Sequence, residues 1–255
     1  MKKYLSLLAT VAIASVLTPV HAQPGMGGPP AAPRFYGKIK KVFGEHTAFS
    51  ANAEFEMKDR SGDPTAMPGK LAFLDGKSRF EMDLSQATSS RMPPEAAAQM
   101  KAMGMDKMIA ISRPDKKVTY LVYPGLNAYL EMPLKDADEA QNDADLKMET
   151  TELGKEKLHG HDCVKNKVVV TGKDGKKQEA TVWNASDQKK FPVKIETTEQ
   201  GNKVVMTFKE VKLAKPDAAQ FEPPAGATKH DNFGSLMQEI MAKMGAAGGF
   251  PPPGR

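Results

Sequence analysis

Residues 68–84 read PGKLAFLDGKSRFEMDL, and this stretch establishes the fold class. Two largely apolar segments, Leu71 to Leu74 and Arg79 to Leu84, flank the dipeptide Asp75-Gly76. Asp-Gly between two such segments is a strong indication of a β-hairpin, because both positions of the tight turn need positive φ. The stretch therefore predicts two antiparallel strands joined by a two-residue turn.

The same pattern continues on both sides of this hairpin. Apolar and polar side chains alternate through residues 49–58 (FSANAEFEMK), which is typical of a strand with one buried face. Further strands are predicted at Met108–Ser112, Val118–Tyr123, Asn127–Met132, Cys163–Thr171, Glu179–Asn184, Val193–Thr197 and Val204–Val211. Because most connections are short, we predict an antiparallel meander of about ten strands, and an open sheet of that size tends to curl.

Three short helices, each apolar on one side, are predicted to interrupt the strands. The first covers Arg34 to Gly44 and is basic, the second covers Pro93 to Met105, and the third covers Phe233 to Met244. Asn232 or Asp231 is expected to cap the third. The predicted fold class is mainly β (α+β): a curled antiparallel sheet, or unclosed β-barrel, with about three short covering helices.

The third helix carries a continuous apolar stripe. Leaving such a stripe in water is unfavourable by about 25 cal/mol per Å² of apolar surface. We therefore expect this helix to fold back across the open side of the sheet and to act as a removable cover.

The two ends of the chain differ from the part between them. The first 22 residues resemble a secretory signal peptide, with Lys2 and Lys3, an apolar run from Leu5 to Leu17, and Ala22 at the cleavage site. Residues 23–33 and 246–255 are rich in Gly, Pro and Ala, and we predict a disordered leader and a disordered tail. Residues 34–245 are predicted to form a single domain. We expect the mature protein in the periplasm, with no transmembrane segment after cleavage, because the apolar run is too short to cross a bilayer.

Composition excludes several classes of function. A hydrophobic content of 40% and a charged content of 26% are ordinary for a globular protein. Without Lys2 and Lys3, 34 basic residues stand against 31 acidic ones, and so small an excess gives no case for a nucleic-acid partner. No nucleophile elbow, zinc-protease, phosphate-loop or dinucleotide motif is present, so we predict no enzyme and no cofactor.

One short segment contains residues capable of binding a metal. His159, His161 and Cys163 alternate in the sequence HGHDC, so their side chains would share one face of a strand. Neighbouring side chains on one face stand about 7 Å apart, which makes joint coordination by all three difficult. We therefore predict no metal site, and we expect the single cysteine to act as a small buried hydrophobic residue. The acidic connection at residues 136–145 lacks the features of a calcium loop and indicates a solvated loop.

Three parts of the sequence resemble the periplasmic lipoprotein-carrier-like (LolA/LolB-like) superfamily, and most closely its uncharacterised exported members. They are the two hairpins at residues 68–84 and 108–124, residues 160–197, and residues 204–227, where Phe221 precedes Pro224 in the pattern that ends such domains. The resemblance covers residues 34–227. It implies an unclosed β-barrel with helices covering its mouth.

The sequence departs from the carrier at one position of the resemblance. The carrier's lid-holding arginine has no counterpart at the turn Asp75-Gly76-Lys77. The nearest arginine, Arg79, alternates with buried positions, and we expect it to face solvent. The lid mechanism of the carrier is therefore not carried over to this chain.

Methionine is the best indication of function. The chain has 16 methionines, and their flexible, polarizable side chains suit surfaces that accommodate varied apolar ligands, although they also fill ordinary helix–sheet contacts. We predict an exported, non-catalytic binding protein that holds a lipid or lipoprotein acyl chain, or another apolar ligand, as a carrier or sensor. The predicted lining residues are Phe55, Met57, Phe80, Met82, Met100, Met103, Met237, Met241 and Met244.

The alternative function belongs to a different class. It is an envelope protein–protein interaction module with the same fold, a core filled by its own side chains, and no ligand. A cavity of several hundred Å³ lined by Phe, Met and Val would favour the binding protein, and a filled core would favour the interaction module.

Overall fold

The computed structural model describes residues 37–58, 64–89, 94–134, 146–199 and 201–246. The predicted signal peptide, the leader, the acidic connection at residues 136–145 and residues 247–255 of the tail lie outside the described residues.

The described residues form one large sheet with a small number of helices. Its strands are β1 (Ala48–Lys58), β2 (Pro64–Leu74), β3 (Lys77–Asp83), β4 (Thr88–Ser89), β5 (Lys107–Arg113), β6 (Val118–Tyr123), β7 (Ala128–Pro133), β8 (Lys147–Leu158), β9 (His161–Thr171), β10 (Lys177–Ala185), β11 (Phe191–Glu199), β12 (Asn202–Lys212) and β13 (Thr228–His230). The helices are α1 (Pro94–Ala102) and α2 (Phe233–Ala246), together with a 3₁₀ helix at Gly37–Phe43 and shorter 3₁₀ turns. The predicted fold class is confirmed, with a few more strands than the sequence indicated.

The sheet consists of two antiparallel meanders joined through its centre. Its strand order is β13-β7-β6-β5-β3-β2-β1-β12-β11-β10-β9-β8, with β4 paired to β2. The pairing of β1 with β12 places Phe55 opposite Met206 and joins the beginning of the domain to its end. Neighbouring hairpins supply the other antiparallel pairs, as the short connections predicted.

The hairpin at residues 68–84 forms as predicted. Asp75 and Gly76 have φ of 49° and 86°, the left-handed conformations that a type I′ turn requires. Leu71 lies opposite Phe80 in the resulting ladder.

Three strands escaped the sequence pattern, and one of them is the two-residue β4. Strand β8 lies at one edge of the sheet and is exposed along nearly its whole length, with Met148 and Leu153 46% and 53% exposed. A strand with neither face buried has no alternation of apolar and polar residues to recognise. Strand β13 has only three residues and pairs with β7 in parallel, whereas the sequence predicted an antiparallel meander.

The sheet separates the apolar side chains into two clusters. The main cluster lies on the face that we call the inner face, where it includes Phe80, Leu121 and Leu236 of α2. The smaller cluster lies on the opposite, outer face and consists of Ala72, Leu74, Ile109, Ile111, Tyr120, Val122 and Phe221. Because side chains in a strand alternate between faces, the central strands β5 and β6 are covered on both sides.

The chain crosses the outer face between β12 and β13, through residues 213–227, here called the crossing segment. Its Phe221 is fully buried, and the backbone carbonyl oxygen of Phe221 accepts a hydrogen bond from Arg113 Nη1 at 3.1 Å. Arg79 Nη1 donates to the carbonyl oxygen of Gln220 at 3.1 Å. The prediction that Arg79 faces solvent is therefore wrong in part: the residue is on the outer face, but the crossing segment packs over that face.

The three predicted helices are present with altered bounds. The 3₁₀ helix at Gly37–Phe43 falls within the first predicted range, and its Val42 and Phe43 are buried. Helix α1 ends at Ala102, before Gly104, whose φ of 69° the helical conformation excludes. Helix α2 begins at the predicted Phe233, and Asn232 caps it by accepting a hydrogen bond from the Ser235 amide at 2.9 Å.

Candidate ligand-binding surface

The inner face presents rows of apolar side chains that run across the strands. The registers align Leu71, Phe80, Ala110, Leu121 and Leu130 into one row. All five are buried and belong to the main cluster. The inner face is therefore a continuous apolar surface over at least five strands.

The predicted lining residues fall into three groups. Phe55, Phe80 and Met82 are buried in the main cluster. A second group consists of half-buried methionines that pack against it from the helices and their ends, namely Met100, Met103 and Met237. Met57 is half-buried at the end of β1, and the side chain of Met244 lies outside the described part of the chain.

Met241 does not contribute a buried surface in this structure, since 54% of it is exposed. It lies one helical turn after the half-buried Met237, in the C-terminal half of the helix. It stands next to the buried stripe that Leu236 and Ile240 form. Residues four apart share a helix face, so the stripe predicted from sequence is wider than the surface that the helix buries.

One end of the inner face is filled by the protein's own aromatic side chains. The rings that meet there belong to Phe43, Phe49, Phe73, Phe191 and Phe208, whose paired centroids lie 4.9 to 6.1 Å apart. Phe43 comes from the 3₁₀ helix and contacts the other four. Such pairs add about 0.5–1.5 kcal/mol each beyond their burial, so this end is a rigid core.

Helix α1 is held to the inner face much more lightly. Among its side chains at residues 95–102, none is fully buried, and Met100 packs against the main cluster only in part. The turn after the helix approaches the β6–β7 connection closely at Gly104 and Gly125. A Cβ on Gly125 would lie 2.5 Å from the carbonyl oxygen of Gly104, so the contact requires glycine. Few buried contacts are the physical basis for a low local stability.

The close approach of Gly104 and Gly125 leads to a testable expectation. Gly125→Ala places a methyl group against backbone that has no side chain to turn away, so the end of α1 must shift. We expect a loss of about 1–3 kcal/mol in the free energy of unfolding, and stronger fluorescence of a hydrophobic dye as the inner face is uncovered. Urea denaturation and dye titration measure the two effects.

The control for this substitution is Lys101→Ala, which removes an exposed side chain of the same helix. It should change neither quantity. Equal behaviour of Gly125→Ala and Lys101→Ala would show that α1 does not depend on the glycine contact.

Three cavities among the described residues are lined mainly by polar side chains of the outer face. A fourth cavity, of about 500 Å³, crosses β1, β2, β3 and β5, and its lining combines polar residues such as Asn52 and Lys70 with the main-cluster residues Met82 and Met108. Many of the surrounding charges are already paired: Lys209 lies 3.3 Å from Glu54, and Arg79 lies 2.9 Å from Glu81. The lining of the largest of these four cavities is therefore mixed, and it differs from the cavity lined by Phe, Met and Val that the sequence led us to expect.

The candidate metal ligands do not come together. His159 lies in the β8–β9 turn, and His161 Nδ1 forms a hydrogen bond with Asp187 Oδ2 at 2.8 Å. Cys163 is buried, and burial raises the pKa of its thiol, which keeps the sulfur protonated. No group of three or more metal-binding side chains occurs within the ranges that the structure describes.

The sequence pattern did not identify Tyr123 as a residue of the inner face. Its side chain is buried in the main cluster, and its hydroxyl has no hydrogen-bond partner among the described residues. The alternation of Leu121 with Tyr123 along β6 was the available signal, but it does not show that the hydroxyl is unpaired.

Within the described ranges, no helix has both the length and the apolar character needed to cross a membrane.

Comparison with known proteins gives one family match and several solved structures of low sequence identity. Residues 70–190 match the family described as Domain of unknown function (DUF4412). No curated protein sequence matches the chain. Among solved structures, lipoprotein LppX from Mycobacterium tuberculosis is 10% identical, and the match covers 68% of this chain and 92% of that chain with a TM-score of 0.40.

Two further solved structures give similar values. The LolA superfamily protein NE2245 from Nitrosomonas europaea is 10% identical over 72% of this chain and 94% of that chain, with a TM-score of 0.35. LprF from Mycobacterium bovis is 15% identical over 71% of this chain and 92% of that chain, with a TM-score of 0.36. These structures include a LolA superfamily protein, the superfamily that the sequence resembles, and residues 70–190 match a family whose function is unknown.

Proposed function

We propose that the protein is an exported, non-catalytic carrier or sensor that binds an acyl chain, or another apolar ligand, against the inner face of its sheet beneath α1. The observation that carries this proposal is the pairing of a continuous apolar face with a cover that buries almost none of its own side chains. Displacing a helix of this kind from the sheet costs little free energy. The apolar surface that it covered is then exposed to water unless an apolar ligand takes its place.

The half-buried methionines lie where such a substitution would occur. Met100 and Met103 belong to α1 and the turn after it, and both contact the main cluster while remaining partly exposed. Each methylene of an acyl chain that replaces these contacts contributes about 0.8 kcal/mol on burial. A chain of ordinary length therefore has enough apolar surface to compensate for the displacement of α1.

The alternative function is supported by a different observation. The five-phenylalanine end of the inner face is filled by the protein itself, and three of the cavities among the described residues are lined mainly by polar side chains. A core that is complete without ligand favours an envelope protein–protein interaction module. The two functions differ in whether the space beneath α1 accepts a chain.

Ligand binding distinguishes the two functions directly. We expect the mature protein to bind a dansyl-labelled fatty acid, to release it to palmitate, and to carry lipid that organic extraction and mass spectrometry detect after purification from its native envelope. Gly125→Ala should change the affinity for the labelled acid several-fold, because α1 no longer docks normally. Lys70→Ala on the outer face is the matched control and should leave the affinity unchanged.

Three results together would contradict the proposed carrier or sensor. Protein that purifies without lipid, does not bind the labelled acid, and cross-links to an envelope protein in the native compartment would establish the interaction module instead.

A further inference from the structure

One polar atom in the main cluster has no partner. Tyr123 is 1% exposed, lies on the inner face at the end of β6, and its hydroxyl makes no hydrogen bond with any described residue. A buried hydroxyl without a partner destabilises the fold, because it has lost its hydrogen bonds to water and gained none in the protein. Phenylalanine would fill the same volume without this cost, so the hydroxyl calls for an explanation.

Tyr123 lies close to the point where the turn after α1 packs on the sheet, and α1 is the helix that we propose as the cover. The tyrosine lies opposite Ala128 of β7 in the main cluster, and it is two residues from Gly125, against which the turn after α1 packs. Displacement of α1 would therefore open the inner face beside the hydroxyl. An apolar chain that enters there would place its polar end or its ester group within reach of β6.

The protonation state of the Tyr123 hydroxyl determines whether it can donate a hydrogen bond to a ligand. Burial raises the pKa of Tyr123 to about 12, so the phenol stays neutral and keeps its proton throughout the pH range of the envelope. A neutral phenol in an apolar environment donates a hydrogen bond to an oxygen acceptor, and carbonyl and carboxylate oxygens are acceptors of this kind.

We propose that the Tyr123 hydroxyl is the polar anchor of the ligand site and donates a hydrogen bond to the carbonyl or carboxylate oxygen of a bound fatty acid or acyl ester. This inference rests on the proposed function and makes it more specific. The ligand is an acyl compound with an oxygen-bearing group, and a plain hydrocarbon of the same length lacks the group that Tyr123 recognises.

Competition binding with Tyr123→Phe tests this anchor. A dansyl-labelled fatty acid is bound to the mature protein and displaced by palmitate, by methyl palmitate or by hexadecane. We expect Tyr123→Phe to weaken palmitate and methyl palmitate about tenfold, the factor that corresponds to one hydrogen bond, and to leave hexadecane unchanged. The melting temperature of the ligand-free variant should stay the same or rise, because an unpaired buried hydroxyl has been removed.

Tyr129→Phe is the matched control, since Tyr129 is a half-buried tyrosine of β7 that packs against the outer cluster, on the opposite face of the sheet from Tyr123. It should leave the affinities for all three competitors unchanged. An equal loss for hexadecane would mean that Tyr123→Phe disturbs packing, and an unchanged affinity for palmitate would mean that the hydroxyl contacts no ligand; either result overturns the anchor alone. If the wild-type protein binds none of the three compounds, the proposed function fails and the anchor fails with it.

Discussion

Replacing Phe221 with alanine is expected to lower the free energy of unfolding by about 3–5 kcal/mol, although this residue lies outside every regular strand and α-helix. Phe221 is fully buried against the outer cluster, among side chains such as Leu74, Ile111 and Val122. Its removal leaves a cavity between the sheet and the crossing segment that the strands are too rigid to close. Urea denaturation followed by circular dichroism measures the loss.

The effect is large because the crossing segment holds the end of the domain in place. Arg113 donates to the carbonyl oxygen of Phe221 and pairs with Glu222, while Lys116 Nζ lies 2.9 Å from the same carboxylate. The neighbouring Asp115 binds Arg113 Nη2 at 2.7 Å and, with Glu222, raises the pKa of the guanidinium above its ordinary value. These contacts hold the backbone of the crossing segment in place only while the Phe221 ring stays packed against the outer cluster.

A control on the same segment separates burial from sequence position. Leu213→Ala changes an exposed apolar side chain of the crossing segment and should alter the stability by no more than about 0.5 kcal/mol. A loss below about 1 kcal/mol for Phe221→Ala would show that the outer cluster contributes little, and that the inner cluster alone stabilises the sheet.

The sequence predicts the local parts of this fold well. Hairpins such as the one at Asp75-Gly76 are specified by residues adjacent in the chain, and their turn conformations leave a recognisable signature. The pairing of β1 with β12 depends on contacts between residues about 150 positions apart, such as Phe55 with Met206, and no local pattern indicates it. Alternation of apolar and polar residues does not reveal β8, because nearly all of its residues are exposed, and it does not reveal β13, because that strand has only three residues.

The candidate site was predictable only in part, for a related reason. Alternation along β1 and β3 correctly placed Phe55, Phe80 and Met82 on the inner face, because one face of a strand is set by its period. The helices were more difficult, since periodicity gives an apolar stripe but not the depth to which it is buried. Met241 is exposed for this reason, and the unpaired hydroxyl of Tyr123 became visible only when its surroundings were known.

The depth of burial also changes the prediction for the C-terminal helix. Its apolar stripe suggested a removable cover, but Leu236 and Ile240 of α2 are 1% and 3% exposed and belong to the main cluster. Burial of this kind makes a helix part of the core, whereas α1 has no comparable side chain among its described residues. We therefore assign the movable cover to α1 and the structural role to α2.

Removing both buried side chains of α2 tests this assignment. Leu236→Ala combined with Ile240→Ala is expected to lower the free energy of unfolding by about 4–10 kcal/mol, since each buried Leu or Ile contributes about 2–5 kcal/mol. That loss approaches the total stability of an ordinary domain, about 5–15 kcal/mol, so a chain that ends after Asn232 should fail to form the β domain. Met241→Ala on the exposed side of the same helix should change the stability by no more than about 0.5 kcal/mol. A truncated chain that keeps its β-sheet circular dichroism and gains binding of a hydrophobic dye would instead make α2 the cover, because only a helix outside the core leaves the sheet intact when it is removed.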